Sequence, residues 1–271
     1  MIRFTLVELM LCIAIIGILS TLLLPGLNNA KCRARGVQCM SNHRQLTMAW
    51  KMYNDDNNER LLFASGDYNR PELNPYAWVL GLLDFNPANS SNWDVERDVK
   101  KSPLWPYCGQ SAAIWKCPAD NSAITVNGKR LPRVRSMSMN LWLGGFAGLD
   151  YGLSGGAYRI FFSVNQLTDP GPARTFVFLD MREDSIDIGN FATDMHGWPD
   201  NPTQTGFYDF PASYHDRAGG LSFADGHGEI RRWVDPRTMP PLVYNGLIPD
   251  ILSSPRNPDV VWLQERSTRR K

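Results

Sequence analysis

Several groups of residues in this chain have the types and spacing to do chemistry. Nine residues separate His215 from the pair Asp225-Gly226. A histidine and an aspartate brought together can act as base and orienter in nucleophilic catalysis. No serine or cysteine in a sharp glycine-flanked turn marks a nucleophile, and His227 falls in a tight loop. The competing reading gives Asp225 the turn and has His215 hydrogen-bond across to tie a loop to a hairpin. A second group, Asp180, Glu183 and Asp184 with Asp187 nearby, sets hard oxygens close together, which suits Ca²⁺ better than a transition metal. The spacing matches no defined calcium loop, so a solvated acidic turn competes with it. The third group is cysteine. Cys108 and Cys117 bracket a short segment and could pair as a disulfide in an exported head. Neither a CxxC nor an HxxxH pair accompanies them, so the sequence carries no zinc signature. Nine tryptophans, among them Trp78, Trp93, Trp105, Trp142 and Trp198, fit either a core or a carbohydrate-binding face.

These residues need elements to position them, and the amino-terminal stretch organises the rest. Residues 4–24 run FTLVELMLCIAIIGILSTLLL with a single formal charge, Glu8. At about 1.5 Å per residue such a run reaches about 30 Å, the thickness of a bilayer's hydrocarbon core. A cleavable signal would carry more positive charge, a shorter apolar core and a small-residue cleavage site, so a retained membrane-spanning helix is predicted. From Lys31 to Asn57 the helical character continues. Cys32, Cys39, Leu46 and Tyr53 recur at sevenfold spacing, joined by His43 and Trp50, while Arg33, Arg44 and Lys51 lie off that stripe. His43 reads as a packed histidine. Asn54 to Asn58 should end the helix.

Beyond it, residues 66–106 read as loops and short helices. RVRSMSMNLWLGG (133–145) alternates like a strand, and RTFVFLD (174–180) is the clearest strand. Residues 221–233 predict a hairpin turning at Asp225-Gly226. The basic end, residues 266–271, reads as a solvated tail.

Phe4-Thr5-Leu6-Val7-Glu8-Leu9 resembles the processing and assembly motif of type IV pilins and the pseudopilins of type II secretion. In that family the phenylalanine begins the mature chain and the glutamate is its fifth residue, as Glu8 is counted from Phe4. Pro25 falls where many pilins carry a helix-kinking proline. The processing point implied lies between Arg3 and Phe4, with Arg3 in place of the family's glycine. His215 with Asp225-Gly226, Cys117-Pro118 with Asp120, and FVFLDMREDS are similar to recurring pieces of a large group of bacterial pilin-like proteins with a carboxyl-terminal H-X9-DG motif. The resemblance implies that Glu8, buried between subunits, is neutralised by a neighbour's amino group at Phe4 and sets the register of a helical filament. It also allows a calcium site ordering a carboxyl-terminal loop.

The expected fold is therefore α+β and pilin-like: a long amino-terminal helix, transmembrane in its first half, packed on an antiparallel sheet. Residues 1–30 would be leader remnant and assembly helix, 31–57 its amphipathic continuation, and 58–271 the globular head. The expected role is structural rather than enzymatic. The implied partners are identical or related subunits, a prepilin peptidase and an inner-membrane assembly platform. The chain would sit in the bacterial inner membrane and then in a periplasmic or cell-surface filament. A net charge of +1 gives no field favouring nucleic acid. The alternatives are a membrane-tethered module binding glycans or surface polymers without polymerising, and a tethered hydrolase built on His215 and Asp225.

Overall fold

The computed structural model describes residues 5–249 and 252–271, with the side chains of 22–29 outside that description. Helix α1 (Leu6–Asp56) takes up the amino-terminal fifth of the chain and continues through Pro25-Gly26. Its start is fixed locally. Thr5 Oγ1 accepts from the Glu8 backbone N–H at 3.3 Å, and a Glu8 carboxylate oxygen accepts from the Thr5 N–H at 2.8 Å. This is a capping box, which satisfies two of the donors a helix leaves open. Its end follows from Asn-Asp chemistry. The Asn57 backbone N–H turns back to Tyr53 and Asn54, and Asn58 and Glu59 take left-handed backbone angles that break the helical repeat.

The two halves of α1 live in different surroundings. Residues 5–21 are all exposed, and the large apolar side chains among them include Val7 at 75% and Ile16 at 62%. From Gly36 onward the sevenfold stripe turns inward: Cys39, His43, Leu46 and Trp50 are buried, while Arg33 and Arg44 stay in solvent. Among the described residues no helix is long and apolar enough to cross a membrane. The described part of the apolar run, 6–21, falls short of the roughly 20 residues a span requires; Phe4, and the side chains of Leu22 to Leu24, lie outside the description.

The head is built on strands β1 (Ala123–Val126), β2 (Lys129–Pro132), β3 (Met137–Asn140), β4 (Phe176–Asp180), β5 (Asn190–Phe191), β6 (Gly206–Phe207), β7 (Ala218–Phe223), β8 (Gly228–Arg232) and β9 (Leu252–Ser253), with a short helix α2 (Pro258–Gln264) near the carboxyl end. Five strands form the main sheet in the order β5-β3-β4-β7-β8, antiparallel throughout except for the parallel pair β3 and β5. The buried half of α1 lies across β4, β7 and β8. The α+β class and the helix-on-sheet arrangement thus follow the sequence expectation. β4 is buried at all five positions, which its unbroken FVFLD requires of a central strand covered on both faces.

Other sequence readings are revised. The strand expected over 133–145 is only four residues long: before it the backbone N–H groups of Val134 and Ser136 donate to the carbonyls of Asn92 and Trp115, and after it Gly144 and Gly145 take left-handed angles. Residues 66–106 form loops and short 3-10 turns, as expected, held by asparagine and aspartate side chains. The basic end is a paired segment and not a free tail, since Arg269 meets Asp169 at 2.7 Å and Arg270 meets Asp200 at 2.8 Å. Trp78 and Trp142 are fully buried, with Trp78 stacked on Trp115 at 5.1 Å, so these tryptophans are core and cannot form a binding face.

Candidate functional site

The most concentrated chemistry in the described residues lies where α1 crosses the sheet. Cys39 arrives from α1, Cys117 from a turn before β1, Asp180 from the end of β4, and His215 from the loop before β7. One ligand atom from each falls within 4.8 Å of the others, and all four residues are buried. Cys39 Sγ donates to Asp180 Oδ2 at 2.8 Å, and Cys117 Sγ lies 3.2 Å from His215 Nε2. A fifth residue, His43, sits one turn beyond Cys39 on the same helix face and brings Nε2 to 3.5 Å from Asp180 Oδ2. Its other ring nitrogen is 3.4 Å from Ser222 Oγ.

Local structure explains how the five converge. β4 alternates, so Asp180 shares with Phe178 the face turned toward α1. In β7 the residues facing the helix are small. A Cβ on Gly220 would stand 2.8 Å from His43 Nε2 and 3.0 Å from Asp180 Oδ2, so glycine is what lets the helix approach this closely. Ser136 ties the turn to the strand: its Oγ accepts from the Cys117 N–H at 2.8 Å and donates to Asp180 Oδ1 at 3.2 Å. Asp180 Oδ2 is left facing the sulfur and imidazole groups.

The electrostatics of this pocket are tense. Burial works against ionisation of Asp180, yet His43, the Cys39 hydrogen bond and His215 together hold its carboxyl below the usual range. The Cys39 thiol is pushed far upward by its hydrogen bond to Cys117, by burial and by the neighbouring Asp180 charge. Burial lowers the His215 imidazole, which favours its neutral, ligating form. His43 Nε2 and His215 Nδ1 are buried without a hydrogen-bond partner. The donor set of two sulfurs, an imidazole and a carboxylate is one that can hold a transition metal ion.

The residues singled out in the sequence are distributed differently. His215 belongs to this cluster, but Asp225 does not. Asp225 Oδ1 accepts from the His227 N–H at 3.0 Å and shapes the hairpin turn with Gly226, whose φ of +103° suits glycine. The turn reading of Asp225 therefore holds, and no His215–Asp225 dyad forms. His215 ties to Cys117 through its ring and to Ala218 O through its backbone N–H, not across the hairpin.

Asp180, Glu183 and Asp184 are not gathered around one point. Asp184 is gripped by Arg182, whose Nη2 donates to Oδ2 at 2.7 Å, and also accepts from the Val243 N–H at 2.7 Å. The carboxylate oxygens a calcium ion would need are thus committed elsewhere, Asp180 to the core cluster and Asp184 to an arginine. The Cys108–Cys117 pairing is also corrected. Both are free thiols, Cys108 Sγ lying 3.3 Å from the Trp105 carbonyl and Cys117 against His215. Arg3 and Phe4 lie outside the described residues, as does the side chain of Pro25. Glu8 is exposed and engaged in the capping box.

Sequence reasoning missed Cys39 and Cys117 as partners and Asp180 as their acceptor. Of the cluster's five contributors only Cys39 and His43 are near neighbours in sequence, and their spacing of four on the buried stripe of α1 was the available signal. Comparison with protein-family models, with curated protein sequences and with solved structures finds no match to this chain.

Proposed function

We propose that this chain is a structural subunit of a type IV pilus-like or type II secretion pseudopilus filament, assembled through the apolar first half of α1. The observation that carries the reading is the contrast along that one helix: its second half is built into the head, while the apolar side chains described in its first half, over residues 6–21, are all exposed. Apolar surface of that extent must be covered, by lipid before assembly and by like helices after it. The full sequence run, residues 4–24, has the length for an inner-membrane anchor. Heads would then form the filament's outer layer and the stems its core. A peptidase acting between Arg3 and Phe4 and an inner-membrane platform are the partners this reading requires.

Glu8 gives the test. In the isolated chain it is half of a capping box with Thr5; in a filament core it would pair with a neighbour's amino terminus. Thr5→Ala removes the box and keeps the carboxylate, whereas Glu8→Leu removes both. The proposal expects Thr5→Ala to yield sedimentable filaments and Glu8→Leu to yield folded monomer in the membrane. Equal behaviour of the two variants would reduce Glu8 to a helix cap.

One observation favours a second reading, the tethered binding module. A surface cleft of about 640 Å³ is lined by Tyr68, Tyr151, Asn69, Asn74, Asn89 and Asp98, among other residues. Aromatic faces with amide and carboxylate groups suit a sugar. Glycan-array binding by wild type that Tyr68→Ala abolishes would favour it.

A further inference from the structure

We propose that Cys39, Cys117, Asp180 and His215 form a structural zinc site that pins the stem helix to the head. The inference stands apart from the filament reading, since it concerns the buried seam between the second half of α1 and the sheet, not the exposed apolar stem.

The geometry is the first argument. Zinc takes thiolate, imidazole and carboxylate ligands at about 2.3, 2.0 and 2.1 Å in a tetrahedron, so the ligand atoms of a filled site stand roughly 3.3 to 3.8 Å apart. The four atoms here lie within 4.8 Å of one another. Cys39 Sγ to Asp180 Oδ2 is 2.8 Å, and Cys117 Sγ to His215 Nε2 is 3.2 Å. Shifts of a fraction of an ångström bring these spacings to tetrahedral values. All four residues are buried, which leaves no open coordination position for water or substrate and marks the site as structural rather than catalytic.

The second argument is chemical. Two sulfurs with one imidazole and one carboxylate select zinc over calcium or magnesium, which demand oxygen. Binding removes one proton from each thiol and releases both to solvent, so two thiolates and a carboxylate face a divalent cation. A buried carboxylate that otherwise relies on thiols and imidazoles gains a cation at bonding distance.

The third argument is the supporting shell. Ser136 Oγ donates to Asp180 Oδ1, which orients the carboxylate and leaves Oδ2 toward the sulfurs. His43 Nε2, buried and without a hydrogen-bond partner, stands 3.5 Å from that same Oδ2. The Ala119 N–H reaches Cys117 Sγ at 3.5 Å, a contact that suits a thiolate. Outer partners of this kind fix ligand orientation at known metal centres.

The mechanical consequence follows from where the ligands originate. One ion joins α1, the turn at Cys117, the central strand β4 and the loop before β7. Metal binding then becomes folding energy, because the unfolded chain cannot assemble ligands drawn from such distant positions.

The experiment uses the full chain, purified in detergent under reducing conditions without chelator, with zinc measured by elemental mass spectrometry and the metal-bound mass read by native mass spectrometry. The proposal expects one zinc per chain. It expects Cys117→Ser and His215→Ala to lower that content about tenfold or more, with Cys108→Ser unchanged because Cys108 lies outside the cluster. Since the first two variants could misfold, wild type refolded with cobalt supplies an independent readout: intense tetrahedral visible bands with a thiolate-to-metal charge-transfer band. Wild type without stoichiometric zinc and without the cobalt bands would overturn the proposal.

Discussion

The Cys117 sulfur lies 3.2 Å from His215 Nε2, across ninety-eight positions of chain. This contact gives the histidine of the H-X9-DG pattern a partner in the core, while the Asp-Gly of the same pattern shapes an exposed hairpin turn. The two ends of one sequence motif therefore do separate jobs.

That separation predicts unequal mutational costs. His215→Ala removes a buried ring and leaves the Cys117 sulfur without its neighbour, so a loss of roughly 2–4 kcal/mol is expected. Asp225→Ala loses a turn hydrogen bond at a partly exposed site and should cost about 0.5–1 kcal/mol. Urea denaturation of the full chain in detergent checks the ranking; equal costs would contradict the division of labour.

The acidic segment after β4 yields a second prediction. Asp184 balances the buried Arg182 guanidinium, so Asp184→Asn strands a buried charge and should destabilise by about 3–5 kcal/mol. Added calcium should leave the melting temperature of wild type unmoved, because Asp184 is occupied by arginine and Asp180 by the core cluster. A melting shift that saturates with calcium would show an oxygen site that this geometry does not provide.

Glu183, between those two aspartates, predicts a pH dependence. Burial first, then the charges of Asp120 and Asp184, raise its carboxyl above the ordinary value of 4.5. The folded chain therefore keeps this proton at pH values where the unfolded chain has released it, and stability falls as pH rises from 4.5 through the folded value. Glu183→Gln should match wild type at ~pH 4 and exceed it at ~pH 7 in urea midpoint. A variant no more stable than wild type at neutral pH would show that Glu183 ionises without cost.

Much of the scaffold was legible in the sequence because its signals are local. The sevenfold stripe of α1, the β-branched and aromatic run of β4, and the Asp225-Gly226 hairpin each declare themselves within a dozen residues. The candidate site was not legible, because burial at a crossing is a property of tertiary packing. Cys117 looked toward Cys108, its nearest cysteine in the head, whereas the fold turns it toward His215. Asp180 looked toward Glu183 and Asp184, but strand alternation sends it inward to Cys39. The strand expected around Arg133 and Arg135 begins only at Met137, because the backbone N–H groups of Val134 and Ser136 serve carbonyls of distant turns at Asn92 and Trp115.

The measurement that bears most directly on the filament proposal is the intact mass and amino-terminal sequence of the chain recovered from sheared cell-surface material. The proposal predicts sedimentable filaments whose subunits begin at Phe4, with α1 packed stem against stem. A chain beginning at Met1, recovered only as detergent-extracted monomer, would contradict it and turn attention to the tethered module and its surface cleft.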